Sequence, residues 1–284
     1  LDVGRGLTGA LFGLLGVLIF SFFLTEDPDT ASLSDRKNAF TYVIYTAGFI
    51  IILVGFFVWR FMKAQVKKEQ ILVKHISWHE IKQVLKLPSV WLLMVIILCG
   101  YVGYKITDII SQYAAEVMLY NQVDAAKVGT LLQFMRPTAG IFFGLIADKL
   151  RITWLLFFSF VLTLLGGLLF ASGIIAPNTT FLFFMSVVIV AAGVYACRAL
   201  YFGVMQVGRI PLPLTGTAVG LISLIGYTPD VFVGPAYGIL LDAHPGQEIG
   251  HQHVFWMLSA FAFIGGIAAY VYHSRYGKSH LVKE

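Results

Sequence analysis

The chain has 284 residues, of which 58% are hydrophobic and only 12% are charged, with 24 Phe and 28 Gly. This composition excludes an ordinary water-soluble domain and indicates a membrane protein. The formal net charge of +5 therefore gives no reason to expect a nucleic-acid partner, and its distribution between loops matters more than its total. Cys99 and Cys197 lie inside apolar runs, where neither a disulfide framework nor a thiolate metal site is favoured.

Apolar stretches long enough to cross a bilayer recur along the whole chain. Hydrocarbon about 30 Å thick needs roughly 20 apolar residues of helix. Eight stretches qualify, and we call them segments one to eight: 5–24, 39–60, 89–117, 126–147, 152–172, 180–205, 215–241 and 254–274. The sequence therefore predicts an all-α, multi-pass transmembrane helical bundle.

The basic residues are distributed unevenly between the two sides of the predicted membrane. Alternating the spans places fourteen Lys and Arg residues on one side, and only Arg36, Lys37 and Lys127 on the other. The richer side is predicted to be cytoplasmic, which puts the C-terminus in the cytoplasm and the protein in the cell (plasma or inner) membrane. No signal-peptide pattern precedes segment one, and the chain starts at Leu1 without a Met, so we expect a fragment of a longer protein.

The long polar connection "RFMKAQVKKEQILVKHISWHEIKQVLKLPS" divides the chain. We expect residues 1–60 to be two helices of one bundle, 61–88 a cytoplasmic linker and 89–284 a six-helix bundle. Ser77 and Glu80 have capping-box spacing before an apolar pattern, which predicts a short amphipathic helix in the linker. His75 and His79 could bind a metal ion, but a solvated basic face is the simpler interpretation, and we predict no metal.

Segment three carries a polar stripe. Tyr101, Tyr104, Lys105, Asp108 and Gln112 all fall on one helical face. A polar stripe in a membrane helix must face other helices or a cavity. Two interpretations stay open: a structural Lys105–Asp108 ion pair, or a stripe that faces a substrate.

Segments four and seven share a pattern and each contains one ionisable residue near its middle. Both contain Gly-x3-Gly-x3-Asp, and Arg136 and Asp230 each stand twelve positions before the final Asp. The matching residues are Gly140, Gly144 and Asp148 in segment four, and Gly234, Gly238 and Asp242 in segment seven. Because each segment is the middle span of a triplet, the pattern predicts the inverted repeat of a secondary transporter.

Segments six and seven add polar residues at membrane depth. Tyr195 and Arg198 share a face of segment six with Phe202 and Met205, although Arg198 could instead extend its charge to the interface. Thr228, Pro229 and Asp230 have the order of residues at a helix start, which predicts a helix that restarts inside segment seven. Asp230 then either caps that half-helix or carries a proton.

The stretch "GLIADKLR" resembles the second copy of the cytoplasmic-loop signature of the major facilitator superfamily. Gly144, Asp148 and Lys149 match it, and Arg151 stands where the family prefers Gly. The long basic loop before a six-span group and "VLKLPSVWLL" at its entrance add to the resemblance. "MRPTAG" in segment four is similar to the Arg-Pro of nitrate and nitrite porters, and more distant similarity extends to organic-anion and sugar-phosphate permeases.

The resemblance implies that the spans correspond to helices five to twelve of a twelve-helix transporter, with four further N-terminal helices as partners. It implies that segments three and six line a central cavity. It also implies that segments one and four pack across the two halves. The glycine strip of segment one (Gly9, Gly13) and that of segment four (Gly140, Gly144) would then each have a partner helix.

We therefore predict a secondary transporter of a small anionic organic solute, driven by a proton gradient, that works by alternating access, contacts lipid and needs no cofactor. The alternatives are a nutrient sensor without transport or an inorganic-anion porter; no catalytic motif indicates an enzyme. The candidate substrate-binding residues are Tyr101, Lys105, Asp108, Gln112, Arg136, Tyr195 and Arg198, the proton-coupling candidates are Asp108 and Asp230, and the gating motif is Gly144, Asp148 and Lys149.

Overall fold

The structure is a computed structural model that describes residues 2–25, 30–61, 77–147, 149–208 and 210–277. Eleven α-helices and no strand occur in these ranges. The helices are α1 (Asp2–Phe23), α2 (Leu33–Phe61), α3 (Trp78–Leu85), α4 (Pro88–Ile106), α5 (Ile110–Glu116), α6 (Gln122–Ala147), α7 (Ile152–Ala171), α8 (Thr180–Leu200), α9 (Thr215–Gly226), α10 (Pro229–Asp242) and α11 (Glu248–Tyr276). The predicted all-α, multi-pass bundle is confirmed.

The helices account for all eight predicted spans. Seven helical stretches in the described part of the chain are long and apolar enough to cross a membrane. They are Leu33–Phe61, Pro88–Glu116, Gln122–Ala147, Ile152–Ala171, Thr180–Leu200, Leu212–Asp242 and Glu248–Tyr276. Segment one corresponds to α1, whose apolar part, Leu7–Phe23, is shorter.

The packed core lies in the helices that follow the linker. Large side chains such as Phe160, Phe170, Phe183 and Phe255 are 0–1% exposed between α4, α7, α8 and α11. Among the residues of α1 and α2 whose burial the structure describes, by contrast, only small ones such as Ala10 and Ala39 are fully covered. The apolar side chains on the remaining faces of α1 and α2 are the kind of surface that lipid or other helices cover.

Helix α3 forms where the linker pattern predicts it. The backbone N–H of Glu80 donates to the Ser77 hydroxyl at 3.2 Å, as expected of an N-cap. Val84 is fully buried, and the Thr217 hydroxyl donates to the Glu80 carboxylate at 3.3 Å, so α3 is attached to α9. His75 lies outside the described residues, and His79 contacts Gln83 at 2.9 Å.

Two predicted spans are broken rather than continuous. The span of segment three changes from α4 to α5 through a 3₁₀ turn at Thr107–Ile109, which periodicity did not predict. Segment seven does stop and restart, because α9 ends at Gly226 and α10 begins at Pro229, as predicted. The Thr228 hydroxyl does not cap α10, however; it donates backward to the Ile225 carbonyl at 2.7 Å.

One further feature differs from the sequence predictions. Segment six ends as a helix at Leu200, and Gly203–Gly208 continues as 3₁₀ structure, so Phe202 and Met205 are not on the α8 face that carries Arg198. Helix α6 is continuous from Gln122 to Ala147, with Pro137 inside it.

Helix α1 packs lengthwise against α6, as predicted for segments one and four. Gly9 faces the side chain of Gln133, and Gly13 faces that of Thr130. The α1 strip therefore has the predicted partner. A methyl group on Gly144 would meet no described atom within 4 Å, so Gly144 makes no close contact with the part of the chain that the structure describes.

Candidate functional site

Two arginines from different helices converge on one tyrosine ring. The guanidinium carbon of Arg136, on α6, lies 4.5 Å from the ring centroid of Tyr104, on α4. The guanidinium carbon of Arg198, on α8, lies 4.0 Å from the same centroid. A ring face attracts a cation without neutralising it, so both positive charges are stabilised inside the bundle.

Further aromatic rings surround this centre. Arg136 also lies over Tyr195 at 5.5 Å, and Arg198 over Tyr101 at 5.5 Å. The Tyr101 and Tyr104 rings stack at 5.5 Å. We call Tyr101, Tyr104, Tyr195, Arg136 and Arg198 the arginine–tyrosine cluster. It holds each guanidinium between helices, against aromatic rings.

The third basic residue of the centre is engaged in an ion pair. Lys105 Nζ lies 3.3 Å from Asp230 Oδ1, and the Tyr101 hydroxyl donates to the same carboxylate at 3.0 and 3.2 Å. The ion pair of Lys105 with Asp108, one of the two interpretations left open by the sequence, is therefore not formed, and Lys105 pairs with Asp230 instead. The restart of segment seven brings Asp230 across to α4, a contact that no sequence spacing could indicate.

A cavity of about 490 Å³ opens beside the arginine–tyrosine cluster, between α1, α2 and α6 and the 3₁₀ turn of Thr107–Ile109. Three of the predicted binding residues line it: Asp108, Arg136 and Tyr195. The glycines Gly9, Gly13 and Gly16 of α1 form part of its wall, together with Thr107, Thr130 and Gln133. The volume lies within the usual range for a small-molecule site.

Asp108 and Arg136 give the cavity opposite charges. Asp108 belongs to the 3₁₀ turn, is exposed, and has no hydrogen bond or ion pair with any described residue. Both Arg136 and Lys105 are near enough to act on it electrostatically. The Arg136 Nε is buried and likewise has no hydrogen-bond partner among the described residues. The cavity is thus bordered by one carboxylate and one guanidinium with unused hydrogen-bonding capacity.

The structure divides the predicted site residues into groups. Tyr101, Lys105 and Arg198 do not belong to the described lining of the cavity, although Arg198 shares the Tyr104 ring with the lining residue Arg136. Gln112 lies apart from the cluster, where its amide donates to Glu116 at 2.8 Å. Of the gating motif, Asp148 lies outside the described residues, while Gly144 is helical and Lys149 follows the end of α6.

Tyr104 and Gln133 were not among the predicted binding residues. Tyr104 did stand on the polar stripe of segment three, so the stripe already contained the signal that it faces the interior. Gln133 precedes Arg136 by almost one helical turn and reaches the cavity from the same face. A polar residue one turn from an arginine within an apolar span is the sequence signal that points to Gln133.

The charges of the whole site sum to a positive value. Lys105, Arg136 and Arg198 contribute three positive charges, against two negative charges from Asp108 and Asp230. The Lys105–Asp230 pair is internally neutral, so the surplus belongs to the two guanidiniums. An arrangement of this kind can bind an anion by charge-assisted hydrogen bonds from a planar fork.

Comparison with known proteins finds two similar bacterial membrane proteins, and no known protein-family model matches the chain. The inner membrane protein YihN of Escherichia coli (strain K12) is 24% identical over 276 residues, covering 94% of this chain and 63% of YihN. The inner membrane protein YqcE of the same organism is 23% identical over 254 residues, covering 86% of this chain and 58% of YqcE. The chain thus spans about three-fifths of the length of these relatives, and it is a multi-pass membrane protein similar to both.

Proposed function

We propose that this chain forms part of a secondary transporter of the major facilitator type that carries a small organic anion across the cell membrane by alternating access, with its C-terminus in the cytoplasm. Its likeness to inner membrane proteins and its apolar helices support a membrane transporter. The broken spans beside a cavity also support transport, because irregular backbone at membrane depth is tolerated where it lines a cavity.

The proposal of an anionic substrate rests on the pair of guanidiniums that lie against the Tyr104 ring. A guanidinium keeps its charge at any accessible pH, and its planar donors match a carboxylate or a phosphate. A charge inside the membrane is costly, and the Tyr104 ring stabilises the Arg136 guanidinium without neutralising it. We propose that the substrate anion reaches Arg136 from the cavity. Polar groups of Tyr195 and Gln133 would complete its binding site.

We propose a proton as the coupling ion, with Asp108 as its first candidate carrier. Asp230 is less suited because Lys105 and Tyr101 already bind its carboxylate. Asp108 faces the cavity, where solvent and substrate both reach it, and lies near the positive charge of Arg136. A proton on Asp108 raises the net positive charge of the site and so favours an anion, which couples the two ligands.

The size of the cavity favours an organic anion over an inorganic one. A volume of about 490 Å³ exceeds what nitrate or nitrite fills, whereas organic anions of several carbons match it. We propose that Gly144, Asp148 and Lys149 serve the conformational cycle and not binding, as the loop signature of the resembled family implies.

Uptake by the full-length protein in proteoliposomes tests this function. A panel of labelled organic anions and labelled nitrate is offered with and without an inwardly directed proton gradient. We expect gradient-stimulated uptake of one class of organic anion, and a loss of at least tenfold in Arg136→Lys. Lys127→Gln is the matched control, because Lys127 is an exposed cation on the same helix, paired with Asp124. Uptake of nitrate and of no organic anion would show that the substrate is inorganic. Saturable binding without uptake would indicate a sensor.

A further inference from the structure

A second ionisable pair lies away from the arginine–tyrosine cluster. His251 Nε2, in the first turns of α11, is 2.8 Å from Oε2 of Glu116, the last residue of α5. The His251 side chain is completely buried, while that of Glu116 keeps 30% of its surface exposed. Glu116 ends the span formed by α4 and α5, and α3 lies at the other end of that span. The pair joins α5 directly to α11.

Both carboxylate oxygens of Glu116 have a hydrogen-bond partner. Its Oε1 accepts from the Gln112 amide at 2.8 Å, and its Oε2 lies 2.8 Å from His251 Nε2. When Glu116 is ionised, both of its oxygens can only accept, so the imidazole then donates from Nε2.

The other nitrogen of His251, Nδ1, is buried and forms no hydrogen bond with any described residue. In the neutral ring it is an unused acceptor, and in the imidazolium it is an unused donor. The protonated ring has one advantage over the neutral ring, since the contact with ionised Glu116 becomes a charge-assisted hydrogen bond.

Several other titratable groups lie near the pair. The Tyr113 ring of α5 lies 5.2 Å from the His251 ring, and its hydroxyl donates to the Ile175 carbonyl at 3.2 Å. Glu248, one turn earlier on α11, accepts from Gln252 at 3.0 Å. The end of α10 contributes Asp242 and His244, and the His244 ring lies 5.7 Å from that of His253. Glu116 is the one described carboxylate in direct contact with His251.

We infer that the Glu116–His251 pair is a proton-binding site, separate from the central site, in which His251 takes up one proton to become an imidazolium. The partly exposed Glu116 gives this proton a route from solvent to a ring that is otherwise enclosed. Protonation strengthens the contact between α5 and α11. Helix α5 continues from the 3₁₀ turn that carries Asp108, in the middle of segment three. The proton on His251 therefore fixes one end of this segment, and the middle of the segment borders the cavity. The inference stands whether or not the protein carries an anion.

The direct test is nuclear magnetic resonance of the full-length protein in detergent with ¹³C-labelled histidine, titrated from pH 5 to 8.5. The His251 signal is assigned by its loss in His251→Gln. Should that variant not fold, the magnetisation contact with the Tyr113 ring assigns the signal in the unchanged protein. Glu116→Gln and His253→Gln are compared, the second as a control for an exposed histidine at the same end of the bundle.

We expect the His251 signal to titrate within this pH range. The midpoint of this titration should move in Glu116→Gln and stay unchanged in His253→Gln. A His251 signal that does not change between pH 5 and 8.5 would overturn the proton site. A midpoint that is the same in Glu116→Gln would overturn the pairing. Neither outcome affects the anion site, which the uptake assay tests independently.

Discussion

Two helix contacts in this molecule use glycine in different ways. Between α7 and α8, a methyl group on Gly193 would lie 2.5 Å from the Thr163 backbone nitrogen and 2.7 Å from the Ser159 carbonyl oxygen. Between α1 and α6, a methyl group on Gly13 would lie 3.3 Å from the Thr130 hydroxyl oxygen, which is a side-chain atom. The first contact joins backbone to backbone, and the second joins backbone to side-chain ends.

The difference indicates which contact can move. Backbone atoms at van der Waals distance leave no room for one helix to slide over the other, so α7 and α8 form a fixed unit. Side chains such as Thr130 can adjust their rotamers, and the α1–α6 contact also borders the cavity. If the protein works by the proposed alternating access, we expect the movement between α1 and α6, and the support of the site from α7 and α8.

The largest expected effect comes from placing a methyl group in the fixed contact. Gly193→Ala forces the backbones of α7 and α8 apart, and we expect it to lower the free energy of unfolding by about 3 kcal/mol, the upper end of the range for overpacking. The measurement is the thermal unfolding midpoint of the purified protein in detergent. An unchanged midpoint would show that the two helices are not locked.

The next effect concerns function and not stability. Gly13→Leu places a large side chain where Gly13 lines the cavity, at a contact made of adjustable side chains. We expect uptake to fall by tenfold or more while the unfolding midpoint stays within a few degrees of the original. If uptake survives with the fold intact, the cavity beside α1 is not the substrate route.

A smaller effect is expected from the ion pair between α4 and α10. Lys105 and Asp230 keep 28% and 50% of their side-chain surface exposed, so solvent screens their attraction. A double-mutant cycle with Lys105→Gln and Asp230→Asn should give a coupling energy of about 1 kcal/mol or less. A coupling several times larger would mean that the pair fixes α10, and so would extend the rigid part of the molecule.

The smallest effect is expected at Gly144. A methyl group there meets no described atom within 4 Å, so Gly144→Ala should change the free energy of unfolding by no more than about 1 kcal/mol, the gain in helix propensity. The unfolding midpoint measured beside that of Gly193→Ala gives the direct contrast. Strong destabilisation would reveal a partner for this strip.

The sequence predicted features that depend on neighbouring residues. The spans, the Ser77 cap and the restart at Pro229 follow from apolar runs, cap chemistry and proline, which act within a few residues. The convergence of Arg136 and Arg198 on Tyr104 depends on how three helices pack, which local patterns do not contain. The tight glycines were missed for the same reason, because Gly166 and Gly193 face each other's helices only in the folded bundle.

We propose above all that Arg136 binds the substrate anion and does not serve merely to balance Asp230. The decisive measurement is calorimetric binding, by the full-length double variant Arg136→Gln, Asp230→Asn, of the organic anion that the uptake panel selects. Asp230 already has Lys105 and Tyr101 as partners, so removing its charge cannot compensate for the loss of Arg136. We predict that affinity falls by at least tenfold in the folded variant. Affinity equal to that of the original protein would contradict the account and leave Arg136 as a structural counter-ion.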